Sequence, residues 1–114
     1  MILNVLELPV FGSPEDPLAV SAGVAGLIKD LRGAHEATLT KAKEKAGKLK
    51  PNISVATTLR EGNPSDQIVA TAANEGFDVV IVGHGGEGRI REMFLGGVSE
   101  RVAHLARCSV IIVK

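Results

Sequence analysis

Apolar residues arrive in short blocks separated by proline, glycine and charge, and the period within each block assigns its element. Residues 2–8, ILNVLEL, are mostly apolar and stop at Pro9, which predicts a buried strand. FGSPEDP reads as a loop, with Asp16 as an N-cap and Pro17 at the first helical position. From Leu18 to Lys50 the pattern is helical with a break. Leu27, Leu31, Ala34, Thr38, Ala42, Ala46 and Leu49 recur every three or four residues, and Lys41, Lys43, Lys45 and Lys48 form a solvated face. Gly23, Gly26 and Gly33 weaken the first half as one regular helix.

NISVATTL places Ile53, Val55, Thr57 and Leu59 on one face, the alternation of a half-exposed strand. The next segment carries a full set of helix signals. Asn63 caps, Pro64 comes first, Asp66 sits near the positive end, Ile68, Val69, Ala72 and Ala73 make an apolar stripe, and Gly76 stops it. FDVVIVG is a β-branched run typical of a strand covered on both faces. After a glycine-rich stretch, Val98, Val102 and Leu105 have helical spacing, and SVIIVK is the last strand. Four strands alternating with helices predict an α/β fold, a parallel sheet with flanking helices.

Composition narrows the function classes. A chain of 114 residues suits one domain with one core, and 45% apolar content argues against disorder. Lys plus Arg and Asp plus Glu number 13 each, which gives no electrostatic case for nucleic acid or an anionic membrane. With no Trp or Tyr there is almost no aromatic platform for stacking bases. PLAVSAGVAGLI is too short to span a bilayer, and no secretory signal pattern stands at the start. The lone Cys108 fits a reducing cytoplasm and reads as a core residue rather than a redox thiol.

Gly83, Gly85, Gly86, Gly88, Gly96 and Gly97 gather beyond the VVIVG strand, where parallel sheets bind ligands. Gly83, Gly85 and Gly88 satisfy a dinucleotide spacing, but that fingerprint needs an acidic residue closing the next strand, which here ends in Lys114. A Walker A loop is absent. A second spacing fits better: Gly83-x-x-Gly86, nine residues, then Gly96-Gly97 before a helix. The first turn admits a sugar at the strand end, and the second presents free amides to a phosphate. Arg89 and Arg91 could add charge there, with ordinary surface arginines as the competing reading. His84 lies at the mouth of this site or is simply a loop histidine. His35, His84 and His104 share no metal-ligand spacing, and Ser99 has no triad around it, since His104 lies about 140° away around the helix. The pattern therefore carries no catalytic and no metal site.

This glycine spacing, followed by VSERV and then CSVIIV, resembles the universal stress protein family, and the resemblance runs from Ile53 to Lys114. REGNPSDQI also looks like the family's segment before its third helix. The resemblance implies a Rossmann-like fold of the adenine nucleotide alpha hydrolase-like type, a dimer, and binding of ATP or AMP, with or without Mg. Carried over residue by residue, Gly83 and Gly86 contact ribose and phosphates. Gly96, Gly97, Val98 and Ser99 line the phosphates, largely through backbone. The implied homodimer joins last strands from Val110 to Val113, an apolar edge that invites pairing.

The chain departs from the family pattern twice. Gly97 replaces a Ser or Thr, which removes one hydroxyl partner of the phosphates at a cost on the order of 1 kcal/mol. The family's first strand and helix have no counterpart if ILNVLEL matches its second strand, which puts Val5 at the adenine-contacting backbone. A rival register sets PVFGS at the end of the first strand, with Phe11 in place of an aspartate. On the first register, residues 2–8 are expected beside residues 78–82 in a closed four-stranded sheet. Two function classes follow: a cytoplasmic, non-enzymatic regulatory module that binds an adenine nucleotide, or a dimerisation and interaction module of the same fold without one.

Overall fold

Strand β1 (Ile2–Leu6) pairs in parallel with β2 (Thr57–Glu61), from Ile2 opposite Thr57 to Leu6 opposite Glu61. The computed structural model describes residues 1–8, 22–84 and 97–114, with backbone only at Ala22 and Gly23. Two compact units divide the chain, Met1–Gly62 and Asn63–Lys114.

In the first unit, helix α1 (Ala22–Leu49) runs from β1 to β2 and packs on both strands. It is continuous over 28 residues, so the expected break is not found. Gly26, Gly33 and Gly47 all face open space, so their cost is only the reduced helix propensity of glycine. The face turned inward is Val24, Ile28, Leu31, His35, Leu39, Ala42 and Ala46, with Leu39 the best buried of them. The expected stripe shared only Leu31, Ala42 and Ala46 with it; Ala34 and Thr38 are exposed, as are Leu27 and Leu49. His35 belongs to the inner face because Asn4 of β1 engages it twice. Its Nδ1 lies 3.1 Å from Asn4 Oδ1, and its carbonyl oxygen accepts from Asn4 Nδ2 at 3.3 Å. Two polar groups thereby sit within an apolar seam without an unsatisfied partner. Arg32 and Glu61 form an exposed ion pair.

β2 starts later than the alternation of Ile53, Val55, Thr57 and Leu59 implied. Its register is fixed by β1, whose ladder begins where Ile2 N–H donates to Ala56 at 2.8 Å, so Ile53 has no strand opposite it and is exposed. β1 itself is half-buried except for Leu6, which is 1% exposed, and Glu7 and Leu8 lie outside it in solvent.

The second unit begins at Asn63, whose side chain accepts from Asp66 N–H at 3.1 Å and from the Ser65 hydroxyl at 2.7 Å. Pro64 then opens helix α2 (Pro64–Asn74), as the sequence predicts. The helix ends at Gly76, which takes a left-handed φ of 68°. Phe77 N–H reaches Ala72 O at 2.9 Å and Gly76 N–H reaches Ala73 O at 3.4 Å, the paired bonds of a Schellman stop. Strand β3 (Val79–Gly83), helix α3 (Gly97–Leu105) and strand β4 (Ser109–Val113) follow. β3 and β4 pair in parallel, Val79 opposite Ser109 through Gly83 opposite Val113. α3 packs against α2 and β4, and its inner face is Ser99 and Val102. Val98 and Leu105, which share helical spacing with Val102, are exposed.

The fold is α/β with four strands, parallel pairing and flanking helices. The strands nevertheless form two separate two-stranded sheets, β1–β2 and β3–β4. The expected closure of residues 2–8 against residues 78–82 is not among the pairings. Each strand instead pairs with the next one along its own unit, and the intervening helix spends its apolar stripe there. β3 also alternates rather than being covered twice: Val79 and Ile81 are exposed while Val80 and Val82 are half-buried.

Leu6 and Leu49 separate buried from exposed apolar area on one unit. Leu6→Ala is expected to destabilise by about 2–5 kcal/mol, and Leu49→Ala, 68% exposed, by less than about 0.5 kcal/mol. Urea unfolding followed by circular dichroism measures both.

Candidate functional site

The parallel pairing of β3 and β4 brings Gly83 to the carboxyl end of the ladder. A Cβ built on Gly83 meets nothing within 4 Å, so space is open beside this strand end. His84, the next residue, extends the ladder by one bond, its N–H donating to Val113 O at 2.8 Å. Its carbonyl oxygen accepts from the Ser99 hydroxyl at 3.3 Å. Ser99 lies in the first turn of α3 and is 2% exposed, while Gly97 and Val98 beside it are exposed. The strand end and the helix start are therefore joined through one residue.

Helix geometry leaves the amides of the first turn of α3 without intrahelical acceptors, and the helix dipole is positive there. Among the described residues, side-chain charge adds little. Glu100 opposes an anion, and Arg101, which favours one, is engaged by Asp66 at 3.3 Å. That pair is more than half exposed and contributes little to stability. Among the described residues, attraction for an anion thus comes from the backbone amides. A groove of about 400 Å³ runs along the solvent side of α3, lined by Gly97, Glu100, Arg101, His104 and Leu105. Only Gly97 belongs to both the groove and the candidate set.

The structure brings together Gly83, His84, Gly97, Val98 and Ser99 at one end of the second unit. Gly86 and Gly96, with Arg89 and Arg91, lie outside the described residues. Val5 lies in the first unit, in β1, opposite Arg60 of β2 and half-buried. Phe11 is outside the described residues, so the rival register is not tested. Among the described residues no group of three His, Cys, Asp or Glu side chains could hold a metal ion. No described helix is long and apolar enough to cross a membrane. The sequence reading missed the Ser99–His84 bond and the Asp66–Arg101 pair. Neither has a local signal, since the partners lie 15 and 35 positions apart.

A family model described as the universal stress protein family matches residues 8–114. A universal stress protein of Methanothermobacter thermautotrophicus is 41% identical over 64 residues, covering 56% of this chain and 43% of the relative. Universal stress protein YxiE of Bacillus subtilis is 36% identical over 76 residues, 67% of this chain and 50% of the relative. Universal stress protein MJ0577 of Methanocaldococcus jannaschii is 31% identical over 108 residues, 87% of this chain and 67% of the relative. The solved structure of MJ0577 matches with a TM-score of 0.78 at 25% identity, covering 98% of this chain and 72% of that one. The chain therefore spans about half the length of the first two of these relatives.

Proposed function

The chain belongs to the universal stress protein family, and on that premise we propose that it is a regulatory module that holds an adenine nucleotide, ATP or AMP. The observation that carries this reading is the junction at His84, where an open glycine strand end meets an exposed helix start. The sugar lies beside Gly83, and the phosphates lie against the amides of Gly97, Val98 and Ser99. Gly86 and Gly96 complete the two turns; these two assignments rest on the family resemblance. A magnesium ion arriving with the nucleotide belongs to the same proposal. In this reading the module is regulatory rather than enzymatic, and the Ser99 hydroxyl serves structure by donating to the His84 carbonyl oxygen. Its single cysteine, half-buried and free, fits a cytoplasmic protein.

We also propose a homodimer through β4. Val110 to Val113 form the last strand, which pairs with β3 along one edge, and Ile111 and Val113 are 50% and 53% exposed. An apolar strand edge of this kind favours pairing with a second chain. A dimerisation and interaction module without nucleotide is the second reading. It is favoured by Gly97, which lacks the family hydroxyl, and by the exposed apolar row Val79, Ile81, Ile111 and Val113.

Calorimetric titration separates the two readings. ATP and AMP at millimolar concentration are expected to release heat and raise the melting temperature, and no response to either removes the nucleotide reading. Gly97→Ser restores a hydroxyl to the helix start and is expected to tighten ATP about fivefold. Gly86→Val is expected to weaken ATP far more than His84→Ala does, and equal effects contradict a backbone cradle.

Light scattering at tens of micromolar protein is expected to give twice the 11.9 kDa chain mass. Ile111→Lys, on the exposed row, is expected to give monomers; Ile112 is half-buried and its replacement would disturb the unit itself. A wild-type monomer rejects the dimer, and a dimeric Ile111→Lys moves the interface elsewhere.

A further inference from the structure

The hydrogen bond between Ser99 and His84 joins two backbone elements that the nucleotide reading needs at a fixed separation. Ser99 is 2% exposed, and its hydroxyl donates to the His84 carbonyl oxygen at 3.3 Å. His84 is held from the other side as well, its N–H donating to Val113 O at 2.8 Å. β4 thus grips the amide of His84 and α3 grips its carbonyl. Val102, one turn beyond Ser99 on the same face and 0% exposed, anchors that face of the helix. A helix start held only by packing can slide or fray, because its first amides have no intrahelical partner. A hydrogen bond to the strand end removes that freedom.

We propose that Ser99 is a positioning residue of the nucleotide site, setting the separation between the end of β3 and the first turn of α3. This inference rests on the nucleotide reading above. The hydroxyl donates to the His84 carbonyl oxygen, so Ser99 acts on the ligand through the placement of backbone amides. Its influence therefore belongs to the phosphate end. A ligand without phosphates makes no use of those amides and is indifferent to the hydroxyl.

The test compares wild type, Ser99→Ala and Ser99→Thr by calorimetric titration with ATP and with adenosine, and by hydrogen exchange of the nucleotide-free proteins. Ser99→Ala is expected to weaken ATP about five- to tenfold and to leave adenosine within about twofold, while Ser99→Thr keeps ATP within about threefold. Without nucleotide, the amides of His84 and residues 101–103 exchange faster in Ser99→Ala, and those of α2 keep their wild-type rates. Unchanged ATP affinity in Ser99→Ala overturns the proposal, as does equal weakening of ATP and adenosine. A Ser99→Thr variant as weak as Ser99→Ala overturns the role of the hydroxyl. If wild type binds neither ligand, the nucleotide reading falls and exchange alone decides the latch: faster exchange at His84 and residues 101–103 upholds it, and unchanged exchange overturns it.

Discussion

His84 stands one residue beyond the β3–β4 ladder, and the bond from its N–H to Val113 O determines what the second unit can offer a ligand. The ladder carries β3 and β4 in register to Gly83 and Val113, and this bond extends the register by one residue. From there the carbonyl oxygen of His84 faces the helix start and receives Ser99. Had β3 stopped earlier, Gly83 would lie in a loop rather than at an ordered strand end, and α3 would lose its hydrogen bond to that end. The candidate site is thus a consequence of pairing length, and its side chains contribute less than its backbone. That suits a ligand carrying phosphate, which helix amides recognise without a dedicated cation.

The first unit rests on a different balance. α1 lays a narrow stripe of mostly small or aliphatic residues along β1 and β2, and on that stripe Leu39 alone is buried rather than half-buried. Leu6 supplies the best-buried side chain of the opposing strand, and burying a leucine contributes about 1.5–3 kcal/mol. Asn4 and His35 add direction. Apolar contacts alone would let a 28-residue helix rotate or slide by a turn, whereas two hydrogen bonds to one asparagine fix its register against β1.

Sequence showed most where the signal is local. Asn63, Pro64 and Gly76 act within one turn of themselves, so the bounds of α2 follow directly from residue types. β1, β3 and β4 were also legible, because short apolar or β-branched runs bounded by breakers or charge have few other fates. It failed where a tertiary partner decides. The inner face of α1 turns on Asn4, 31 residues from His35, and a stripe chosen by hydrophobicity alone put Ala34 and Thr38 where His35 and Leu39 belong. The start of β2 depends on where β1 begins, which no feature of NISVATTL announces. The two-sheet arrangement likewise rests on which edges meet, and apolar content leaves that open. Within the site, Gly83 and Gly97 were found by spacing. The placement of Ser99, buried and turned toward a carbonyl oxygen, was visible only in three dimensions.

The account stands or falls on whether nucleotide phosphates meet the first turn of α3. The most direct measurement is an NMR titration of isotope-labelled protein with AMP, following every backbone amide. The account predicts saturable shifts concentrated at His84, Gly97, Val98 and Ser99, with the outer stripe of α1 unmoved. Saturable shifts that leave Gly97, Val98 and Ser99 in place, or no shifts at all at millimolar AMP, would contradict it.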